Sequence, residues 1–464
     1  MKPLDDIASV GLDLGSTRIK AGLLDGRGRL ASVRAVDAPA LHGNGGIREG
    51  DAEAYAEAAF ALLEVVAGEV PRDTPLGIAT QRSTFVIWER DSGRPSRPMV
   101  SWQDRRAAAW CARHRSLEPD VVRRTGLLLT AHYAGPKLAA MQADDPALRD
   151  ALRSGRQLFG TLESFLVWKW SRERVHETDL SVAARTLMVN IGDGRWSDEL
   201  LGHFAVPPAV LPAIVPTAGR SVELGVGLRL AATVADQAAG ALAVLDAGSR
   251  CALVNLGTGA FVLRNTDDGA RRREGYLTAP ILGGPEATRF TIEGTINGAG
   301  PALDRFGNGP TALPDVDPSP AAFAIPDLAG LGSPYWRPGI GLTLSAGARA
   351  LDAAGRRRAV LEGLLFRIAQ ILDELFEIAP PDRLLLAGGV AREPAVPAGL
   401  ATLLRRPVDV LVERESGLTG AARLAAGLGP FARGTTRSVE PGGGAYLSSK
   451  LPKWSSWLES VLSG

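Results

Sequence analysis

The sequence predicts an α/β protein built from two similar halves, with a ligand site in the cleft between them. The first observation behind this lies in residues 231–265. There an acid, Asp236, precedes a small-residue helix and then the strand–turn–strand Val254-Asn-Leu-Gly-Thr-Gly-Ala-Phe-Val-Leu263. Glycine in such a turn lets the backbone approach a ligand, and successive N–H groups form a concavity suited to phosphate oxygens. The second observation is a copy of that hairpin near the N-terminus, Val10-Gly-Leu-Asp-Leu-Gly-Ser-Thr-Arg-Ile-Lys20. Leu14-Gly15-Ser16-Thr17 aligns with Leu256-Gly257-Thr258-Gly259 at an offset of 242 residues, about half the chain. One such hairpin alone could be an ordinary element of a buried sheet; two in register point to a duplication. The third observation is length: 464 residues exceed what a single core organises, so two domains are expected, 1–242 and 243–464.

The elements follow in order. Ser9–Leu14 and Ile19–Leu24 form the first hairpin, and a helix runs from Asp51, its N-cap, to about Val66. Leu76–Thr80 reads as a buried strand ending at Gln81-Arg82-Ser83, where ligands gather in open α/β sheets. Thr84–Glu89 and Pro98–Trp102 read as strands, and Trp102–Arg106 as the opening of a helix. Leu158–Trp170 ends a strand and starts a helix, and the proline-rich run from Pro207 to Pro216 reads as irregular connection before a strand at Leu228–Thr233. In the second half come a strand at Phe290–Glu293 and a turn or helix start at Gly298–Gly300. The apolar residues of Arg358–Ala379 recur at three- and four-residue spacing, the strongest helical pattern in the chain. Leu384–Val390 gives a strand running into Gly388-Gly389, and Gly442–Gly444 a loose link to a short last helix around Trp454–Val461. Strands alternating with helices in both halves indicate α/β layers.

Composition narrows the function. Lys plus Arg total 52 and Asp plus Glu 51, a formal net charge of +1, which argues against nucleic acid as a partner. The basic runs Arg271–Arg273 and Arg356–Arg358 read as solvated surface. Two cysteines, Cys111 and Cys251, exclude a disulfide framework and make a thiolate metal site improbable. The N-terminus lacks a signal-peptide pattern and no apolar run is long enough to span a bilayer, so a cytoplasmic protein without membrane contact is expected. There is no Gly-Lys-Ser/Thr phosphate loop, no protein-kinase catalytic loop, no Rossmann fingerprint and no HExxH.

What remains, in order, is hairpin, Asp236, hairpin and double glycine. With Gly77–Trp88, Val100–Arg106, Val175–Thr186 and Gly330–Arg337, this series resembles the FGGY carbohydrate kinases, and within them the glycerol kinases, from about Val10 to Gly427. The resemblance implies two actin-like (ribonuclease-H-like) ATPase domains with the active site in the interdomain cleft, using ATP and Mg2+ on a small polyol or sugar, glycerol-like as the best single choice. It leaves a homo-oligomer open. It implies that Asp236 is the general base for the substrate hydroxyl, with a helix N-cap as the alternative role. Asp13 would hold Mg2+ through water, the alternative being a strand carboxylate paired with a neighbouring cation. Gly15, Ser16, Thr17, Lys20, Gly257, Thr258 and Gly259 match phosphate-contacting positions. Gly300, Gly388 and Gly389 match the nucleotide pocket, though all these glycines also suit plain turns. Gln81, Arg82, Ser83, Trp102, His132, Asp236 and Gln237 match the acceptor site, with a salt bridge as the alternative for Arg82 and core packing for Trp102.

Two of these depart from the glycerol-kinase pattern. Ser83 stands where that pattern has a hydroxyl-binding Glu, and His132, beside Tyr133, where it has Tyr. The expectation is a pocket with one acceptor fewer and more room, for a longer polyol or an open-chain sugar. Arg392-Glu393-Pro394 also departs from the pattern, at the adenosine turn. A non-catalytic ATP- or sugar-binding regulator and an actin-like ATPase on the same fold are the competing readings.

Overall fold

The computed structural model describes residues 6–464 apart from 172–173, 247–249, 267–268, 270–272, 285–287, 308, 310, 378–379 and 431–434. Each half is organised by one sheet. In the first, the order is Ala218–Glu223, Arg229–Ala235, Pro75–Thr80, Ile7–Leu14, Arg18–Asp25, Leu30–Asp37. In the second it is Thr436–Val439, Val408–Leu411, Arg383–Ala387, Cys251–Leu256, Ala260–Thr266, Arg289–Ile296, with Leu277–Leu282 added at the far edge. Strand directions agree position by position. The edge pair is antiparallel, the next two pairings are parallel, and the hairpin with its third strand is antiparallel. The duplication read from two turns extends to six strands.

Local chemistry explains the elements. The hairpin strands are almost wholly apolar because sheets covered on both faces bury both side-chain rows. The Asp51 carboxylate accepts from the Glu53 and Ala54 N–H groups and starts the helix Ala52–Ala67. The long helix of the second half spans Ala353–Leu375, capped by Asp352, and buries its apolar stripe in that half's core.

Between the halves, helix Asp236–Leu242 packs on helix Ser416–Ala425, each following the corresponding strand of its sheet. Their contact depends on small residues: a Cβ on Gly420 would stand 2.0 Å from the Ala239 carbonyl oxygen. The later helix also lies against the first sheet, where a Cβ on Gly77 would stand 1.9 Å from the Ala421 carbonyl oxygen and Ser9 Oγ donates to the Ala422 carbonyl at 2.7 Å.

The halves differ most in what interrupts the sheet. In the first, residues 81–228 fall between Pro75–Thr80 and Arg229–Ala235. They supply most of a second sheet ordered Glu49–Gly50, Met99–Val100, Phe85–Glu89, Gln157–Thr161. At the same place the second half has little more than helix Ala395–Leu404.

Several expectations are corrected. The helix expected from Trp102 begins at Ala108. Trp102 N–H is held by Thr84 Oγ1 at 3.0 Å, and Asp104 accepts from Arg106 and from the Arg48 N–H, which fixes a loop instead. The strand before it shortens to Met99–Val100. The run Pro207–Pro216 is not irregular throughout: Ala213–Val215 pairs in parallel with Glu177–Asp179. The last helix is longer than expected, Tyr446–Ser463, and Trp454 is buried against Phe366. Of the basic runs, Arg357 is buried and bonded to the Leu303 and Gly307 carbonyls and to Glu393, while Arg271 and Arg272 lie outside the described residues. Ala379, the expected end of the long helix, also lies outside them; the helix stops at Leu375.

Candidate active site

A cavity of about 710 Å³ opens between the two sheets. Asp13, Gly15, Ser16, Thr17, Gln81, Arg82, Trp102, His132, Asp236 and Gln237 all line it, so the structure brings these ten expected residues together from five separate stretches of chain.

At the floor, strand Ile7–Leu14 presents Asp13 at its C-terminal end, just before the Gly15–Thr17 turn. Tyr55 of the first helix donates to the Gly15 carbonyl at 2.8 Å and fixes that turn. Asp13 faces Lys20 across the hairpin, yet the Lys20 ammonium is taken by Glu415 at 2.5 Å. No hydrogen bond or ion pair engages the Asp13 carboxylate among the described residues, so the paired-carboxylate alternative is not what the fold builds. Burial pushes the Asp13 carboxyl up to about 7, with Asp236 and Glu415 adding to the rise against Lys20.

Asp236 is the first residue of its helix and not its cap; Ala235 occupies the cap position without a side-chain bond. Its Oδ1 accepts from the Gln237 N–H at 2.7 Å and lies 3.7 Å from Arg82 Nε, with the side chain 39 % exposed to the cleft. Surrounding protein raises the Asp236 carboxyl above its ordinary range, outweighing Arg82, the Gln237 N–H and Arg185. A raised carboxylate is the better proton acceptor. Gln237 Oε1 is buried without a hydrogen-bond partner in the structure.

Arg82 leaves the strand Pro75–Thr80 two residues after its end and is 13 % exposed, with Glu293 3.9 Å from its Nη1. The salt-bridge role and the cleft position therefore coexist in Arg82. Thr84 Oγ1 donates to Gln81 Oε1 at 3.0 Å and accepts from the Trp102 N–H, tying these two cleft residues to one hydroxyl. Trp102 is half-buried rather than part of the core, and its ring lies 5.6 Å from that of His132. Lys137 reaches under this loop, donating to the Ser101 and Trp102 carbonyls at 2.8 and 3.3 Å. Burial holds the His132 ring well below its ordinary pKa, and Lys137, Arg82, Arg105 and Arg185 add to that, so it is neutral at pH 7.

Ser83 is placed differently from what the resemblance implies. Its backbone is left-handed (φ 65°), it is buried, and its Oγ donates to the Arg185 carbonyl at 2.9 Å, behind the cavity wall. The room expected from a short residue here does not open into the cleft.

The second-half glycines do not line this cavity but converge beside it. A Cβ on Gly300 would stand 2.5 Å from the Gly257 carbonyl oxygen, and one on Gly388 (φ 94°) 2.2 Å from that of Leu256. The Gly257–Gly259 turn closes with a Gly257 N–H to Gly259 carbonyl bond of 2.9 Å, while Gly257 and Gly389 have open space where a Cβ would point. The backbones of hairpin, helix start and double glycine are thus pressed together, with Asn255, Asn297 and Ala387 extending the cavity wall beside them. Glu393, from the unusual adenosine-turn triplet, is committed to Arg357 at 2.9 Å and to the Thr311 N–H at 2.8 Å.

Sequence reasoning missed Glu293 and assigned no role to Arg185, although Arg185 lies within one of the motifs that carried the resemblance. Glu293 comes from the middle of the strand Arg289–Ile296 in the second half, and its Oε2 accepts from Arg185 Nη2 at 3.1 Å. Burial opposes its charge, but Arg185 and Arg82 hold the carboxyl below its usual range. The only signal was a lone acid inside an apolar strand.

Residues 8–226 match the model of the N-terminal domain, and residues 252–427 that of the C-terminal domain, of the FGGY family of carbohydrate kinases. A protein of Trichlorobacter lovleyi named glycerol kinase is 32% identical over 442 residues, covering 90% of this chain and 89% of its own. Among solved structures, a Plasmodium falciparum glycerol kinase with ADP superposes with a TM-score of 0.84 at 18% identity over 97% of both chains. A structure described as a xyloylose kinase from Brucella ovis gives 0.85 at 21% identity over 98% of this chain and 99% of its own.

Proposed function

The chain belongs to the FGGY family of carbohydrate kinases, and from that premise we propose that Asp236 and Asp13 are the working acids of an ATP-dependent kinase for a small, glycerol-like polyol or sugar. The observation that carries this is one cavity with Asp236 beside Arg82 on one wall and Asp13, without a partner, beside a Gly-Ser-Thr turn on another. In the reaction the acceptor oxygen bonds to the γ-phosphorus, the bond from that phosphorus to the β–γ bridging oxygen breaks, ADP leaves, and the hydroxyl proton passes to Asp236. Arg82, Trp102, His132, Gln81 and Gln237 bind and orient the acceptor. Gly15, Ser16 and Thr17 on one side and Gly257, Thr258 and Gly259 on the other flank the phosphates, with Gly300, Gly388 and Gly389 by the nucleoside.

The donor set fits Mg2+. Among the described residues no group of three or more potential metal ligands exists, so a protein cage is excluded there, while one unpartnered carboxylate beside a phosphate turn suits an ion that keeps its water. Bound beside Asp13, Mg2+ supplies charge neutralisation of the phosphates. Lys20, held by Glu415, would reach phosphate only by leaving that partner.

The division into 1–242 and 243–464 belongs to this reading, and so does a cytoplasmic location; no helix among the described residues is long and apolar enough to cross a membrane. The match to kinases over most of the chain favours the enzyme over a non-catalytic binder. The test is acceptor-dependent ADP release from Mg-ATP. Wild type is expected to need an acceptor, and Asp236→Asn to lose about 10³-fold in kcat. ADP release that ignores every acceptor and survives Asp236→Asn would instead support the actin-like ATPase reading.

A further inference from the structure

The acceptor end of the cavity carries more positive charge than it neutralises. Three guanidiniums, Arg82, Arg105 and Arg185, line it against two carboxylates, Asp236 and Glu293. Glu293 is shared, at 3.1 Å from Arg185 and 3.9 Å from Arg82, and Asp236 lies 3.7 Å from Arg82. Both carboxylates are therefore committed to Arg82 and Arg185. Arg105 is exposed on the wall, and no hydrogen bond or ion pair engages its guanidinium among the described residues. Behind it, the Lys137 ammonium donates to two carbonyls, and burial pulls its pKa down to about 7, with Asp104 working against that fall.

The excess has a direction. Asp236 feels the charges of Arg82 and Arg185, whereas His132 feels those two together with Arg105 and Lys137. The unpaired guanidinium of Arg105 thus sits at the His132 end, away from the proton acceptor. Ser83 brings no charge to that end, and its hydroxyl is bound behind the wall to the Arg185 carbonyl. A neutral polyol would leave this end unbalanced, while an anionic group would make charge-assisted hydrogen bonds with it.

We propose that the acceptor is a polyhydroxylated acid, its carboxylate seated between Arg105 and His132 and its far hydroxyl presented to Asp236. This rests on the kinase reading and narrows it to aldonate-type substrates. His132, neutral, donates a ring N–H to the carboxylate, and Trp102 covers the carbon chain.

The experiment measures ADP release by the full chain with saturating Mg-ATP, using matched pairs of three to six carbons: glycerol and glycerate, erythritol and erythronate, ribitol and ribonate, sorbitol and gluconate. At least one aldonate is expected to exceed its alditol in kcat/KM by about tenfold or more. Arg105→Gln should raise the KM for that aldonate by about tenfold with little change in kcat, Arg105→Lys should retain most of the affinity, and both should shift the alditol KM by clearly less than the aldonate KM. An alditol used as well as its aldonate, or an Arg105→Gln effect equal for both, overturns the proposal and leaves the kinase standing. Absence of acceptor-dependent release across the panel, with ADP release unchanged in Asp236→Asn, overturns both.

Discussion

The two hairpins share a backbone plan and differ in charge. At the 242-residue offset that aligns their turns, Asp13 of the first corresponds to Asn255 of the second, and both line the same cavity. Lys20 of the first corresponds to Val262, which is buried. The first half thus places an ionisable group on the cavity wall where the second offers an amide beside closely packed backbone. The interruptions of the two sheets diverge in the same sense. Residues 81–228 of the first half bring Arg82, Trp102, His132 and Arg185 to the cavity, whereas the corresponding helix Ala395–Leu404 of the second sends no side chain into it. A duplicated scaffold can divide labour in this way because strand order fixes where a residue emerges, leaving its chemistry free to change.

The sharpest way to break this comparison is to exchange the two residues. Asp13→Asn is expected to lower kcat with the best acceptor by about 10²-fold, and Asn255→Asp in the same chain should fail to restore it. Rescue by the double variant would show the two positions to be equivalent and the asymmetry to be incidental.

A smaller effect concerns stability in the ligand-free protein. The folded Asp13 carboxyl stands at about 7 against an ordinary value of 3.8. A folded value above the unfolded one means that the folded chain holds this proton more tightly. The stabilisation is complete below about pH 4 and is lost as the pH rises to about 7. Asp13→Asn cannot lose it, so the Tm of the variant relative to wild type should climb between pH 4 and 7 and then level off. A difference that stays flat or falls over that window would contradict the burial-driven shift.

Much of the scaffold is legible in sequence because its signals are local. Apolar runs broken by Gly-Ser-Thr and Gly-Thr-Gly mark both hairpins, and three- and four-residue apolar spacing from Arg358 onward marks most of the helix Ala353–Leu375. The acceptor wall is less legible because its decisive contacts are distant. Arg185 and Glu293 meet across 108 residues and from different halves, and no periodicity announces such a pair. Ser83 shows the limit of position-by-position reading. Its place in the motif points to the pocket, but a left-handed backbone turns its hydroxyl to the Arg185 carbonyl. The strand Ala213–Val215 went unseen for another reason, since three residues between prolines carry too short a pattern to register.

The central claim, that the Arg82 wall of the first half serves the acceptor and the Gly388 turn of the second half the nucleoside, is tested most directly by measuring acceptor KM and nucleotide Kd in two variants side by side. Arg82→Ala removes a guanidinium from the acceptor wall, and Gly388→Ala pushes a Cβ against the Leu256 carbonyl. The account predicts that Arg82→Ala raises the acceptor KM about tenfold or more while nucleotide Kd holds, and that Gly388→Ala does the reverse. If both variants shift both constants alike, or if the effects are exchanged, the division of labour between the halves is wrong.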